Sequence, residues 1–179
     1  MSRKILIGMD LTQLYHTAKL IRLNVSYKEL VAAICAEVVD ADEEVEVSTI
    51  GFTKFSQGNT GQVEFVRNLR EVGIDVRTYP VTHSGGFDVN ILAEALSVDA
   101  DELVLVSNTA AALEAAEQLM RDEEPAMVVS VAYFSEDIPT RWVTKLLSPA
   151  TRRTFSFIDL SEETVRAQIG RRSTVHIPT

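Results

Sequence analysis

The 179-residue chain has a single thiol, Cys35, so it can form neither an internal disulfide nor a cysteine-rich zinc site. No apolar run approaches the ~18 residues that a bilayer-crossing helix needs, and a membrane protein is not expected. The opening segment has two positive charges, but its apolar run is only five residues long before Asp10 interrupts it, shorter than the core of a secretory signal. A cytoplasmic protein is the expectation. Base is scarce too: 17 Lys and Arg stand against 26 Asp and Glu, a formal net charge of −9. Phosphate contacts come mostly from Lys and Arg, so the surface as a whole is not a nucleic-acid footprint. Gly8 stands alone, and the turn after Asp10 has no glycine, so the chain lacks a glycine-rich phosphate loop behind its first apolar run. What is present is globular: 46% hydrophobic and 24% charged residues, at a length that suits one domain.

Short β-branched runs alternate with stretches of helical period, the pattern of parallel βα units. Residues 4–10 are apolar on consecutive positions, as in a central strand covered on both faces. Leu14, Ala18 and Ile21 begin a helix, and Tyr27 to Val38 forms another behind the capping box Ser26 and Glu29. Strands are expected at 45–52, 75–80, 103–107 and 126–132, with another at 153–158. Helices are expected at 62–72, ended by Gly73, from Phe87 through Leu96, through Leu113 and Leu119, weakly at 139–147, and from Ser161 to Ile169. Residues 170–179 have no period and are expected to fray or to dock on a partner. The result is a parallel sheet of five or six strands wound on both faces. Ligands of such sheets sit at the carboxyl ends of the strands, where Asp10, Asp88 and the turn Ser107-Asn108-Thr109 would lie.

Asp10 ends an apolar strand, where a carboxylate is costly unless it meets a cation or caps a helix. Asp88 follows Gly85-Gly86 at a helix start, again a capping position, and Glu94 follows it in the same helix. Convergence of these acids would suit Mg²⁺ or Mn²⁺. His16 and His83 lack metal-ligand spacing, and Cys35 lies on the apolar face of its helix. Trp142, Tyr133 and Phe134 are core candidates that would also suit a contact surface.

Four segments, in order, resemble the NYN domains, the LabA-like branch of the PIN-like nucleases. The run Ile7 to Lys19 is similar to a strand ending in Asp-Gly-x-Asn-Leu-Tyr. Residues 65–76 are similar to the family's helix-Gly-strand passage, 86–96 to its Gly-x-Asp-Val segment, and 102–109 to the strand that enters Ser-Gly-Asp-x-Asp. The resemblance covers about residues 4 to 132. It implies an α/β fold, a single Rossmann-like or PIN-like domain, and an acidic centre holding divalent metal for phosphodiester hydrolysis. Asp10 and Asp88 match that centre, with Glu94 as a longer second mid-chain acid. Gln13 replaces the family's Asn, Ser84 to Gly86 lacks its Lys, Asn108 replaces its Gly, and Thr109 and Ala111 stand where two Asp would be. Ser107, Asn108 and Thr109 retain groups that can bond a phosphate or cap a helix.

Three functions follow. The first is a PIN-like domain that has lost nuclease activity, needs no cofactor and binds a protein or RNA. The second is a surviving Mg²⁺- or Mn²⁺-dependent ribonuclease using Asp10, Asp88 and Glu94. The third is a phosphate-ligand or nucleotide-binding module built on Gln13 and residues 107–110. Self-association is compatible with each. Charge divides unevenly along the chain: residues 1–137, the PIN-like part, carry −13, whereas 138–179, a basic extension packed on the same domain, carry +4. Arg141, Lys145, Arg152, Arg153, Arg166, Arg171 and Arg172 are that extension's cations, able to meet a phosphate backbone or pair with the acidic body. Arg171→Glu combined with Arg172→Glu is expected to weaken binding to RNA or to an acidic protein; an unchanged affinity by filter binding removes the tail from the interaction.

Overall fold

The computed structural model describes residues 2–122, 127–138 and 155–172. The elements are β1 (Arg3–Asp10), α1 (Leu11–Leu20), β2 (Leu23–Val25), α2 (Tyr27–Val38), β3 (Val45–Phe55), α3 (Thr60–Glu71), β4 (Asp75–Pro80) and α4 (Asp88–Ser97). They continue with β5 (Glu102–Val106), α5 (Ala110–Asp122), β6 (Val128–Tyr133), a 3-10 turn (Ser135–Asp137), β7 (Ser156–Asp159), α6 (Glu163–Ile169) and β8 (Gly170–Arg172). Six strands form one sheet in the order β4-β3-β1-β5-β6-β7, with every neighbouring pair parallel. The chain builds outward from β1 to β4, then crosses back to β5 on the other side of β1. This is the doubly wound Rossmann-like order, with its switch point between β1 and β5. None of the described helices is long and apolar enough to cross a membrane.

Alternation along β1 and β5 divides the core into two layers. Ile5, Ile7, Met9, Val104 and Val106 face one cluster, closed by α2, α3 and α6 through Leu30, Ile34, Val66, Leu69, Val165 and Ile169. Leu6, Leu103 and Leu105 face the other, closed by α4 and α5 through Ile91, Leu92, Ala95, Ala112 and Leu113. Ile158, Leu160 and the α6 residues join the first cluster and Phe155 the second, so the described part of the 138–179 segment shares both cores.

Two segments depart from the expectation. Residues 23–25 and 170–172 are strands, paired antiparallel as a two-stranded ribbon, so the chain at 170–172 docks on its own domain. A Cβ on Gly170 would collide with the Asn24 carbonyl oxygen, and the Ser26 N–H donates to the Ile169 carbonyl at 2.7 Å. Strands of three residues are too short for a period to reveal. The first helix starts at Leu11, three residues before its first periodic residue, because Asp10 caps it. The expected helix at 139–147 with Trp142, and residues 173–179, lie outside the described residues.

Gly8 lies on the same face of β1 as Leu6. A Cβ there would collide with Ile91 Cγ2, so α4 lies directly on the strand backbone. Gly8→Ala is expected to destabilise the fold by roughly 1–3 kcal/mol through overpacking. The test is a lower urea midpoint at unchanged m-value; an unshifted midpoint would mean that α4 has room to move.

Candidate acidic site at the switch point

β1 and β5 end side by side at the switch point, and the close seat of α4 on Gly8 brings a third terminus to them. Asp10 is the last residue of β1 and the N-cap of α1; its Oδ1 accepts the Gln13 N–H at 2.9 Å. Asp88 is the first residue of α4, 2% exposed, and its Oδ2 accepts the Thr109 hydroxyl at 2.9 Å. The Ser107 hydroxyl also bonds Asp88 and lies 3.1 Å from Thr109 Oγ1. Asp88 Oδ1 is buried and has no hydrogen-bond partner among the described residues.

Electrostatics follow from this crowding. Burial pushes the Asp10 carboxyl up to about 6, and the Asp88 charge adds to the rise. The Gln13 and Thr12 backbone N–H groups and the Lys54 ammonium oppose it. Burial raises Asp88 as well, against the hydroxyls of Thr109 and Ser107. The two acids are therefore brought together, as the sequence suggested.

Glu94 does not join them. Six residues along an α-helix is about 240° of rotation, which turns it off the Asp88 face. Both of its oxygens are taken by Arg77, at 2.7 Å each. Among the described residues no group of three or more His, Cys, Asp or Glu side chains is placed to hold a metal ion. Thr109 supplies a hydroxyl and Ala111 a methyl where the NYN resemblance calls for carboxylates. A hard divalent cation selects sites by the number and charge of their oxygen ligands, and two carboxylates do not fit the metal centre that the resemblance implies.

The neighbouring polar residues are committed to structure. Asn108 is 2% exposed; its Nδ2 donates to the carbonyls of Phe134 and Asp137, both at 2.8 Å, and its Oδ1 accepts the Phe134 N–H at 2.9 Å. It clamps the end of β6 to β5 and leaves no group for a phosphate. Gln13 Nε2 reaches Thr17 Oγ1 at 3.5 Å, and the Thr17 hydroxyl donates to Asp137 Oδ2 at 2.7 Å. Asp137 and Lys54 are the site residues that sequence reasoning missed. Lys54 carried one signal, a cation in the alternating stretch that continues β3 beyond Phe52.

Arg141, Lys145, Arg152 and Arg153 lie outside the described residues, as do the side chains of Arg171 and Arg172. Arg166 is described, and its Nη1 is paired with Glu136 at 2.5 Å. His83 stacks on Phe87 with ring centroids 5.4 Å apart. Phe134 is buried core and Cys35 is half-buried.

No protein-family model and no curated protein sequence matches this chain. Among solved structures it is similar to the crystal structure of a protein of unknown function from Vibrio parahaemolyticus, at 23% identity and a TM-score of 0.63. The match covers 88% of this chain and 94% of that one, and it shows a shared fold alone.

Proposed function

We propose that the chain is a PIN-like domain of the NYN type that keeps the nuclease scaffold, has lost the nuclease centre, and acts as a protein- or RNA-binding module. One observation carries this reading: the switch-point edge converges two carboxylates, Asp10 and Asp88, and among the described residues no group of three or more His, Cys, Asp or Glu side chains is placed to hold a metal ion. In-line phosphodiester hydrolysis by two metals needs ligands enough to clamp both the attacking and the leaving oxygen. Here the third candidate, Glu94, is neutralised by Arg77, and the turn after β5 contributes a hydroxyl and a methyl. Asn108, spent on the backbone of β6, further favours a structural over a catalytic turn.

The decisive assay is incubation of single-stranded RNA with the protein and Mn²⁺. The parent protein is expected to cleave no faster than Asp10→Asn. Robust Mn²⁺-dependent cleavage that vanishes in Asp10→Asn would establish the ribonuclease instead.

The acid pair also sets a pH dependence of stability. The folded Asp10 carboxyl titrates at about 6 against an ordinary 3.8, so the folded chain holds that proton more tightly than the unfolded chain. Stability from this group is therefore greatest below about pH 4 and falls as pH rises towards 6. Asp88 shifts in the same direction and deepens the fall. Asn keeps the capping oxygen without the charge. Asp10→Asn is expected to exceed the parent in stability above pH 6 by roughly 2–3 kcal/mol, measured by urea unfolding at several pH values. A variant less stable than the parent at pH 7 would contradict the buried-charge account.

A further inference from the structure

The described residues contain a groove whose lining is basic although the chain's net charge is −9. One chamber, of about 690 Å³, opens between α1, the end of β3 and the start of α3, with Thr12, Tyr15, Lys54, Gln62 and Phe65 in its walls. A second, of about 580 Å³, continues between α1, β2, the start of α2 and α3, past Lys19, Asn24, Tyr27, Lys28 and Asn68. Tyr15 and Phe65 line both chambers, so the two lie side by side along one groove. It abuts the acid pair through Lys54 but contains neither Asp10 nor Asp88.

The charge of its walls is unusual for this protein. No Asp or Glu lines either chamber, although acids outnumber bases by 26 to 17 in the chain. The whole chain has five lysines, and Lys19, Lys28 and Lys54 all line the groove. Among the described residues the ammonium groups of these three make no ion pair or hydrogen bond, and the side chains of Asn24 and Asn68 make no hydrogen bond.

Between the cations lie flat apolar surfaces. Tyr15 is 55% exposed, and Tyr27 meets Phe65 edge-on at 5.6 Å. Lysines alone would suit any anion, and aromatic faces alone any apolar ring. Together with unpartnered amide side chains they match a ligand that is flat, heteroaromatic and phosphorylated.

We infer that the groove between α1 and α3 is a nucleotide site: Tyr15 and Phe65 flank the base, Lys54 meets phosphate at one end, and Lys19 and Lys28 meet it at the other. The nucleotide is either free or a unit of a single strand, the chemistry being shared. An acidic peptide would satisfy the lysines but leave the aromatic faces without a stacking partner. This assignment deepens the RNA-binding part of the proposed function and is separable from the loss of the nuclease centre, since it uses none of the acidic residues.

The test is fluorescence anisotropy of the full chain with a 5′-fluorescein-labelled oligouridylate of eight nucleotides, with AMP, inorganic phosphate and an oligoglutamate peptide as competitors. Saturable binding is expected. Tyr15→Ala should weaken it by about fivefold to a hundredfold, the range for removal of one stacked base. Lys54→Gln, and Lys19→Gln with Lys28→Gln, should each weaken it and lower the salt slope by about 0.7 for every phosphate that is no longer neutralised. Displacement by AMP identifies a free-nucleotide site, and displacement only by unlabelled oligonucleotide identifies a strand site. The inference is overturned if no binding is detected, if the Tyr15 and lysine variants bind like the parent, or if phosphate or oligoglutamate competes as well as the nucleotides. The substituted lysines and Tyr15 lie on the groove surface, and unchanged thermal melting confirms that weakened binding is a local effect. RNA cleavage, read separately with Mn²⁺, is not expected to change in these variants.

Discussion

The approach of α4 to β1 is the contact on which the site depends. Because position 8 has no side chain, Ile91 settles against the strand backbone, and the start of the same helix, Asp88, is delivered to the end of the same strand, Asp10. Any larger residue at position 8 would lift the helix by the width of a methyl and separate the acids. A backbone–side-chain contact in the core thus determines an electrostatic property at the edge. The two carboxylates are crowded because the layers beneath them are tightly packed.

The two edges of the sheet treat buried acid differently. At the amino edge Glu102 is buried too, but Arg3 lies 2.6 Å from one oxygen and the Ser130 hydroxyl 2.8 Å from the other. That carboxylate is paired and structural. At the carboxyl edge Asp10 and Asp88 face each other with N–H and O–H donors and a more distant Lys54, and one oxygen is left over. Removal of the Glu102 charge would take from Arg3 one of its two carboxylate partners, Glu43 being the other, whereas removal of a charge at the carboxyl edge relieves repulsion.

Much of this architecture could be read in the chain. The alternation of β-branched runs with helical periods marks parallel strands, and the consecutive apolar residues of β1 and β5 mark its centre, because strands covered on both faces need no polar positions. Gly73 ends α3 as expected, with φ at +91° and the Ile74 N–H returning to the Leu69 carbonyl. The meeting of Asp10 with Asp88 was also legible, since both sit at element junctions that the topology places on one edge. Glu94 was misleading because sequence spacing shows that two residues share a helix without showing which partner lies across from each, and Arg77 comes from a neighbouring strand. Asn108 looked like a ligand and is a clamp, for the same reason: its partners are backbone atoms 26 and 29 residues away. The groove was not legible, because Lys19, Lys28 and Lys54 converge only once α1, α2 and β3 are assembled.

The ribbon of β2 and β8 ties one wall of the groove to almost the last described residues. Leu23 pairs with Arg172 and Val25 with Gly170, so this pairing spans nearly the whole chain. Contacts of that separation must close a long loop before they contribute anything. On the ribosome, β1 through β6 would already have emerged before the strand that completes the ribbon is made. The groove's outer rim therefore depends on residues 170–172: a chain truncated before residue 170 would keep both hydrophobic layers of β1 yet leave Leu23 and Asn24 without their partner strand.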